Sequence, residues 1–183
     1  RACLLAFRRE GPLQHEGPYY NLSLLPEQWT PERHDFEDVK IDISAVGPYM
    51  TRVAGELADG IHVHPMHSMP YIENRVLPDL ALGAARTGRD VSEIDLIVPV
   101  MAIPGDSPEE QAAATLTTKT QIGFYGATPN YAFQFDDLGY DGMREKLRVH
   151  LKSGDTEALV ALIDDEMVNH FALPARWDEM ADK

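Results

Sequence analysis

The fold of this chain is decided by residues 39–64, which read VKIDISAVGPYMTRVAGELADGIHVH. The first seven residues alternate between apolar and polar side chains, which is typical of a β-strand with one buried face. After a break at Val46-Gly47-Pro48, apolar residues recur at helical spacing between Met50 and Ala58, and Asp59-Gly60 ends that helix. A second strand follows over residues 61–64. This stretch therefore predicts one strand, helix, strand unit with parallel strands.

The same alternation continues on the C-terminal side. We expect a helix over residues 71–86, one buried strand over 95–102 and a helix from Pro108 to about Ile122, capped by Ser107. Further helices are predicted over 142–151 and 156–171, and another opens at Trp177. On the N-terminal side we expect a helix end at residues 2–9, an extended stretch at 17–22 and a long loop at 26–38. The alternation indicates a parallel α/β sheet, with about three strands visible.

Composition and charge exclude several classes of protein. Hydrophobic residues make up 44% and charged residues 25% of the 183 residues, which is typical of a globular chain. A formal charge of −14 repels a phosphate backbone, so we expect no nucleic-acid partner. No apolar run has the length of a bilayer span, so no membrane partner is expected. The single cysteine, Cys3, excludes an internal disulfide and fits a reducing compartment, and we expect the cytoplasm.

The turn that begins at Ser44 leads from the end of a strand into the first turn of a helix. The first backbone N–H groups of a helix lack partners, and the helix dipole is positive there, so a phosphate can be held without a lysine or arginine. Gly47 allows a close approach to the backbone. A Gly-Pro sequence is also a common plain connection, so the anion-binding interpretation depends on the rest of the chain.

Residues 44–48, residues 54–60 and the strand through His64 resemble the luciferase-like monooxygenase family. Residues 15–20 and 83–90 are similar to further segments of that family, so the resemblance spans most of the chain. Residues 121–131 and 162–166 resemble an actinobacterial branch that is assigned to coenzyme F420.

The resemblance implies a (β/α)8 TIM barrel of the bacterial luciferase type. Residues 1–183 would then form a single domain, the C-terminal part of the barrel, with the N-terminal strands and the last strand missing. The strand that ends at Ala45 would lie midway round the barrel. Because three strands cannot close a barrel of eight, we also expect a homo-oligomer, a dimer.

The family resemblance also implies which residues hold the cofactor. The turn would receive the cofactor phosphate. The residues themselves also offer an aromatic cluster near 124–135 as a candidate wall for a ring, although aromatic clusters are more often core and core packing is the favoured interpretation. The predicted cofactor-binding residues are Ser44, Ala45, Val46, Gly47, Pro48, Met50, Tyr125 and Tyr131. Some flavin-using relatives carry an acidic residue and a serine where this chain has Val46 and Gly47. Backbone amides remain, so the loop leaves coenzyme F420 and FMN as alternatives.

Three histidines cluster at the predicted C-terminal end of the second strand, where active sites of this barrel gather. His64 and His67 are the candidate catalytic residues, because imidazole titrates near neutral pH, and packing or hydrogen bonding is the alternative role. His62 shares a strand face with His64. This spacing is not a recognised zinc signature and no cysteine assists, so we expect no metal.

These observations predict an oxidoreductase of the luciferase-like class that transfers hydride between coenzyme F420 and a small organic substrate. Two alternatives remain at this stage. One is an FMN-dependent monooxygenase on the same fold, and the other is a non-catalytic luciferase-like partner subunit.

Overall fold

The computed structural model describes residues 2–33 and 39–183, which form two compact units, Arg1–Lys40 and Ile41–Lys183. The smaller unit contains helix α1 (Ala2–Phe7) and a short antiparallel pair, β1 (His15–Glu16) with β2 (Asn21–Leu22). A 3-10 turn over Glu27–Trp29 begins the predicted loop, and Arg9 Nη2 lies 2.7 Å from Glu27 Oε1. Residues 34–38 of that loop lie outside the described residues.

The larger unit begins with the predicted strand, helix, strand unit. Strand β3 (Asp42–Ala45), helix α2 (Pro48–Leu57) and strand β4 (Gly60–Val63) follow each other, and β4 lies parallel to β3 with Ser44 opposite His62. Strand β5 (Asp95–Ile97) joins the other side of β4, which gives the order β3-β4-β5. The strand expected from residue 39 begins only at Asp42, because the β4 ladder starts with Gly60 opposite Asp42.

The helix predicted over residues 71–86 is confirmed, with an earlier start and an internal π-helical segment. It consists of α3 (Met69–Tyr71), the π segment Ile72–Val76 and α4 (Leu77–Arg86). Ser68 caps its first turn, since Ser68 Oγ accepts a hydrogen bond from the Tyr71 amide at 3.3 Å. The wider π turn lies directly before Pro78, whose ring and missing N–H do not fit a regular helix interior.

The prediction of one strand over residues 95–102 is wrong. The chain makes two strands there. The second strand, β6 (Met101–Pro104), does not continue the ladder of β5 and instead pairs in parallel with β7 (Ala172–Ala175). Pro99 lies between β5 and β6, and it lacks the N–H that a continuous ladder needs. The sequence pattern also missed β7, a short strand that itself contains a proline.

Helices dominate the rest of the chain. Helix α5 (Pro108–Gly126) starts as predicted, with Ser107 Oγ accepting from the Glu110 amide at 3.2 Å. The remaining helices are α6 (Phe133–Asp137), α7 (Met143–Ser153), α8 (Thr156–Ala161) and α9 (Asp165–Phe171).

The single helix predicted over residues 156–171 is wrong. Asp164 interrupts it, because its side chain accepts from the Met167 amide at 2.8 Å and starts a new helix. The helix expected from Trp177 is only a 3-10 turn over Met180–Asp182.

Two apolar cores support these elements. One lies between the β3-β4 strands and the helices α2 and α4, and the other is built mainly by α5 to α9. Among the described residues, no helix is long and apolar enough to cross a membrane.

Candidate active site

The turn between β3 and α2 presents the start of the helix to open space. Gly47 is the N-cap residue, with φ −90° and ψ 160°, and within the described part of the chain no side chain caps this end. Pro48, the first helical residue, has no N–H to satisfy. The amides of the N-cap Gly47 and of the next residues with an N–H, Tyr49 and Met50, are therefore the donors that this helix end offers to a ligand.

A cleft of about 340 Å³ lies against this turn. A Cβ atom placed on Gly47 would meet no other atom within 4 Å, so a ligand can approach the backbone there without displacing a side chain. The cleft is lined by Val46, Gly47, Pro48, Thr51, Tyr71, Arg75, Val76, Asp79, Pro129, Asn130, Tyr131 and Phe133.

One wall of the cleft is a face of the helix that runs through the π segment. Tyr71, Arg75 and Asp79 follow each other at intervals of four residues and all line the cleft. The Tyr71 hydroxyl donates to the Val46 carbonyl at 2.7 Å. The Arg75 guanidinium donates from Nε to Asp137 at 2.7 Å and lies 5.0 Å from the centre of the Phe133 ring. The Arg75 side chain is thus held in one orientation on the wall, paired with the Asp137 carboxylate.

A second cleft of about 420 Å³ opens at the C-terminal ends of β3 and β4. It is lined by Ser44, Ala45, Val46, His62, Val63, His64, Pro65, Pro99 and Tyr131. Val46 and Tyr131 border both clefts, so the two clefts are neighbours.

His64 lies directly after β4 and contacts two tyrosine rings. Its ring stacks on Tyr131, with centroids 4.2 Å apart, and meets Tyr125 edge-on at 4.6 Å. Nδ1 accepts a hydrogen bond from the Met66 amide at 3.1 Å, so the proton of the neutral ring is on Nε2. Burial lowers the pKa of His64 below its ordinary value. The ring is therefore neutral at pH 7 and carries one N–H donor.

The other predicted residues divide into those at the clefts and those behind them. Ser44, Ala45, Val46, Gly47, Pro48, His64 and Tyr131 line one or both clefts. His67 is buried and its Nδ1 donates to the His64 carbonyl at 2.9 Å, so it supports the loop of His64. Tyr125 contacts His64 and Tyr131 without lining these two clefts, and Met50 is half-exposed outside them. The roles assigned to all these residues stay predictions.

His62 pairs with the neighbouring strand, since its Nε2 lies 3.2 Å from Asp42 Oδ2. Among the residues that the structure describes, no group of three His, Cys, Asp or Glu side chains can hold a metal ion.

Sequence reasoning missed Tyr71, Thr51 and Arg75. Each belongs to a predicted helix, and their spacing indicated only that they are helical. The available signal was the repeat of polar residues at positions 71, 75 and 79, on a helix that follows the second strand. Such a repeat identifies one face of a helix, but it does not identify the residues or the ligand that contact this face.

The amino-acid sequence is similar to those of several known proteins. An uncharacterized protein of Mycobacterium tuberculosis is 38% identical over 181 residues, which cover 99% of this chain and 53% of that protein. The F420-dependent glucose-6-phosphate dehydrogenase of Rhodococcus erythropolis is 28% identical over 106 residues, covering 49% of this chain and 32% of that enzyme. This chain thus spans about half the length, or less, of these relatives.

The fold is shared with a solved structure. The coenzyme F420-dependent tetrahydromethanopterin reductase of Methanopyrus kandleri superposes with a TM-score of 0.74 at 22% identity, over 99% of this chain and 50% of the reductase. The architecture is therefore that of a luciferase-like TIM barrel, of which this chain represents a part. The luciferase-like monooxygenase family matches residues 1–183 throughout, and the chain belongs to that family.

Proposed function

We propose that this chain carries the cofactor site of an oxidoreductase of the luciferase-like class. The observation that supports the proposal most is the pair of neighbouring clefts. One lies at the uncapped start of α2, and the other lies at the C-terminal strand ends beside His64. Helix starts bind phosphate, and the C-terminal strand ends carry the chemistry of such barrels.

The residues fit a cofactor that joins a phosphate to a flat ring. The space beside Gly47 is open, which suits a phosphate, and Arg75, paired with Asp137, lies on a wall of the same cleft. Tyr131 and His64, which stack on each other, form an aromatic wall for the neighbouring cleft. When bound, a deazaflavin or flavin supplies the hydride chemistry, and the protein supplies binding and orientation.

The chain's own contribution to chemistry is then the His64 ring. Its Nε2–H is the hydrogen-bond donor that the neutral imidazole offers, because Nδ1 already accepts from the Met66 amide. The packing of Tyr125 and Tyr131 fixes the ring plane and keeps water away from one side. We assign His64 the role of donating a hydrogen bond from Nε2 to the cofactor ring or to an organic substrate.

Coenzyme F420 is the cofactor we propose, since the dehydrogenase relative is described as F420-dependent. The turn itself fits FMN as well, because both cofactors carry a phosphate ester and backbone amides do not distinguish them. The substrate is an organic molecule that exchanges a hydride with the ring.

The proposal is tested by titrating the intact protein with F420 and with FMN, and by following ring fluorescence. We expect F420 to bind at micromolar concentration and to be reduced or reoxidised in the presence of a substrate. Tighter binding of FMN would overturn the choice of cofactor. A folded protein that binds neither cofactor would overturn the proposed function.

A further inference from the structure

We propose that Tyr71 is a positioning residue for the phosphate turn, because its hydroxyl fixes the peptide that carries the Gly47 amide. This inference rests on the proposed function and adds to it the residue that sets the geometry of the anion site. Tyr71 lies 25 positions from Val46 in the sequence, and its hydroxyl donates to the Val46 carbonyl at 2.7 Å.

The position of the Tyr71 ring is set by packing. The side chain is 1% exposed and belongs to the core between the strands and α2 and α4. Its ring centroid lies 5.4 Å from that of Phe133. A buried hydroxyl needs a hydrogen-bond partner, and the Val46 carbonyl provides it just beyond the end of β3. Burial also raises the pKa of Tyr71 to about 12, so the hydroxyl remains a donor at neutral pH.

The hydrogen bond fixes a peptide plane. In a trans peptide the C=O and the following N–H point in opposite directions, and the described residues contain no cis peptide bond. Holding the Val46 carbonyl therefore also sets the direction of the Gly47 N–H. Gly47 has no side chain that could restrain this peptide plane, and a Cβ atom built on it would meet no other atom within 4 Å.

The next peptide is held by a different residue. The Gly47 carbonyl accepts from the amide and from Oγ1 of Thr51, both at 3.1 Å. Thr51 thus holds the peptide after Gly47 with two bonds, whereas Tyr71 holds the peptide before it. Removing the Thr51 hydroxyl leaves the backbone bond in place, which makes Thr51 a suitable comparison.

The experiment compares ligands that differ by the phosphate. Wild type and Tyr71→Phe are titrated with FMN and riboflavin, and with F420 and its deazaflavin core without the phosphate. We expect Tyr71→Phe to bind the phosphate-bearing form of the preferred cofactor about fivefold more weakly, which corresponds to one lost hydrogen bond. Binding of the phosphate-free form should change by less than about twofold.

Two control variants accompany Tyr71→Phe. Thr51→Val should have a smaller effect on the phosphate-bearing ligand, because the Thr51 amide still holds the Gly47 carbonyl. Tyr140→Phe removes a hydroxyl outside both clefts and should leave the ratio of the two affinities unchanged. Amide exchange at Gly47, followed by NMR at a subsaturating concentration of cofactor, should show ligand-induced protection in wild type and weaker protection in Tyr71→Phe.

The outcomes separate the inference from the proposed function. If wild type binds the phosphate-bearing cofactor and Tyr71→Phe keeps the same ratio of affinities, Tyr71 is only a packing residue and the inference is wrong. An equal loss for both forms, together with a lower Tm, leads to the same conclusion. If wild type binds no cofactor, the proposed function is wrong and the inference falls with it.

Discussion

At the scale of single residues, His64 has its protonation state set by its surroundings. The ring is enclosed by two tyrosines, and Nδ1 accepts from a backbone amide. Both features favour the neutral form, the first by desolvation and the second because a bound lone pair cannot take a proton. The behaviour of this ring with pH is therefore a direct test of the site.

We expect His64 to titrate below its ordinary pKa of about 6.5. The folded state then takes up the proton less readily than the unfolded state. This contribution to stability is complete above about pH 6.5 and is lost as the pH falls through the lowered pKa. NMR titration of the His64 ring checks the midpoint, and His64→Gln should flatten the dependence of Tm on pH below that value. A midpoint at or above 6.5 would contradict the packing described for this ring.

His64→Ala should lower turnover by about 100-fold, the scale of a lost hydrogen-bond donor to charge that develops during the reaction. Cofactor affinity should fall by much less than turnover, because the phosphate is held at the other cleft. Stopped-flow measurement of hydride transfer and a cofactor titration on the same sample separate the two effects. Tm must be measured as well, since a packing defect lowers both quantities together. Unchanged turnover would remove His64 from the chemistry.

Gly47→Val should weaken binding of the phosphate-bearing cofactor by about tenfold, because the new side chain occupies the space next to the amides. Its φ of −90° suits any residue, so the free energy of unfolding should fall by no more than about 1 kcal/mol. Gly11→Val is the matched control, since a Cβ there also meets no atom within 4 Å. Full affinity in a folded Gly47→Val protein would show that the phosphate binds elsewhere.

At the scale of elements, α2 and α4 are packed backbone against backbone. A Cβ on Gly83 would collide with the Arg52 carbonyl, and a Cβ on Gly55 would collide with the Leu80 carbonyl. No flexible side chain can move aside at either point. This contact fixes α2 against the helix that carries Tyr71, so it supports both walls of the first cleft.

Gly83→Ala should therefore destabilise the protein by about 2 kcal/mol through overpacking, although alanine is the better helix former. Ala81→Gly, on the exposed face of the same helix, should cost only about 1 kcal/mol through helix propensity. Chemical denaturation of both variants checks the comparison. A Gly83→Ala protein as stable as wild type would mean that the two helices are not in close contact.

At the scale of the whole molecule, the β3-β4-β5 sheet has two outer strands. Among the described residues, β3 and β5 each pair on one side only, and Ile41 and Leu96 near those edges are exposed. Such edges favour association with another chain. The relatives have about twice the length of this chain.

We expect residues 1–183, expressed alone, to dimerise or aggregate at micromolar concentration. Each Å² of apolar surface removed from water contributes about 25 cal/mol, which favours covering the exposed apolar side chains. Light scattering after size-exclusion chromatography measures the mass, and a dye that binds apolar surface reports on exposure. A monomer with cooperative unfolding and little dye binding would contradict this prediction.

The sequence by itself determined the elements whose signals are local. The alternation before Ala45, the helical spacing after Gly47 and the cap at Ser107 all act over a few residues, and all three are confirmed. The same linear segments carried the family resemblance, which the match over residues 1–183 confirms. Local spacing suffices here because backbone conformation depends first on near neighbours.

Only the tertiary structure decided where the chain changes sheets and which side chains meet. In the sequence, Pro99 indicates only a local weakness within one predicted strand. A second ladder forms because β6 pairs with β7, which lies some seventy residues later in the chain. The bond from Tyr71 to Val46 spans 25 positions, and the aromatic enclosure of His64 joins still more distant residues. Such contacts depend on how whole helices pack against the strands, and no periodic pattern within one segment records that packing.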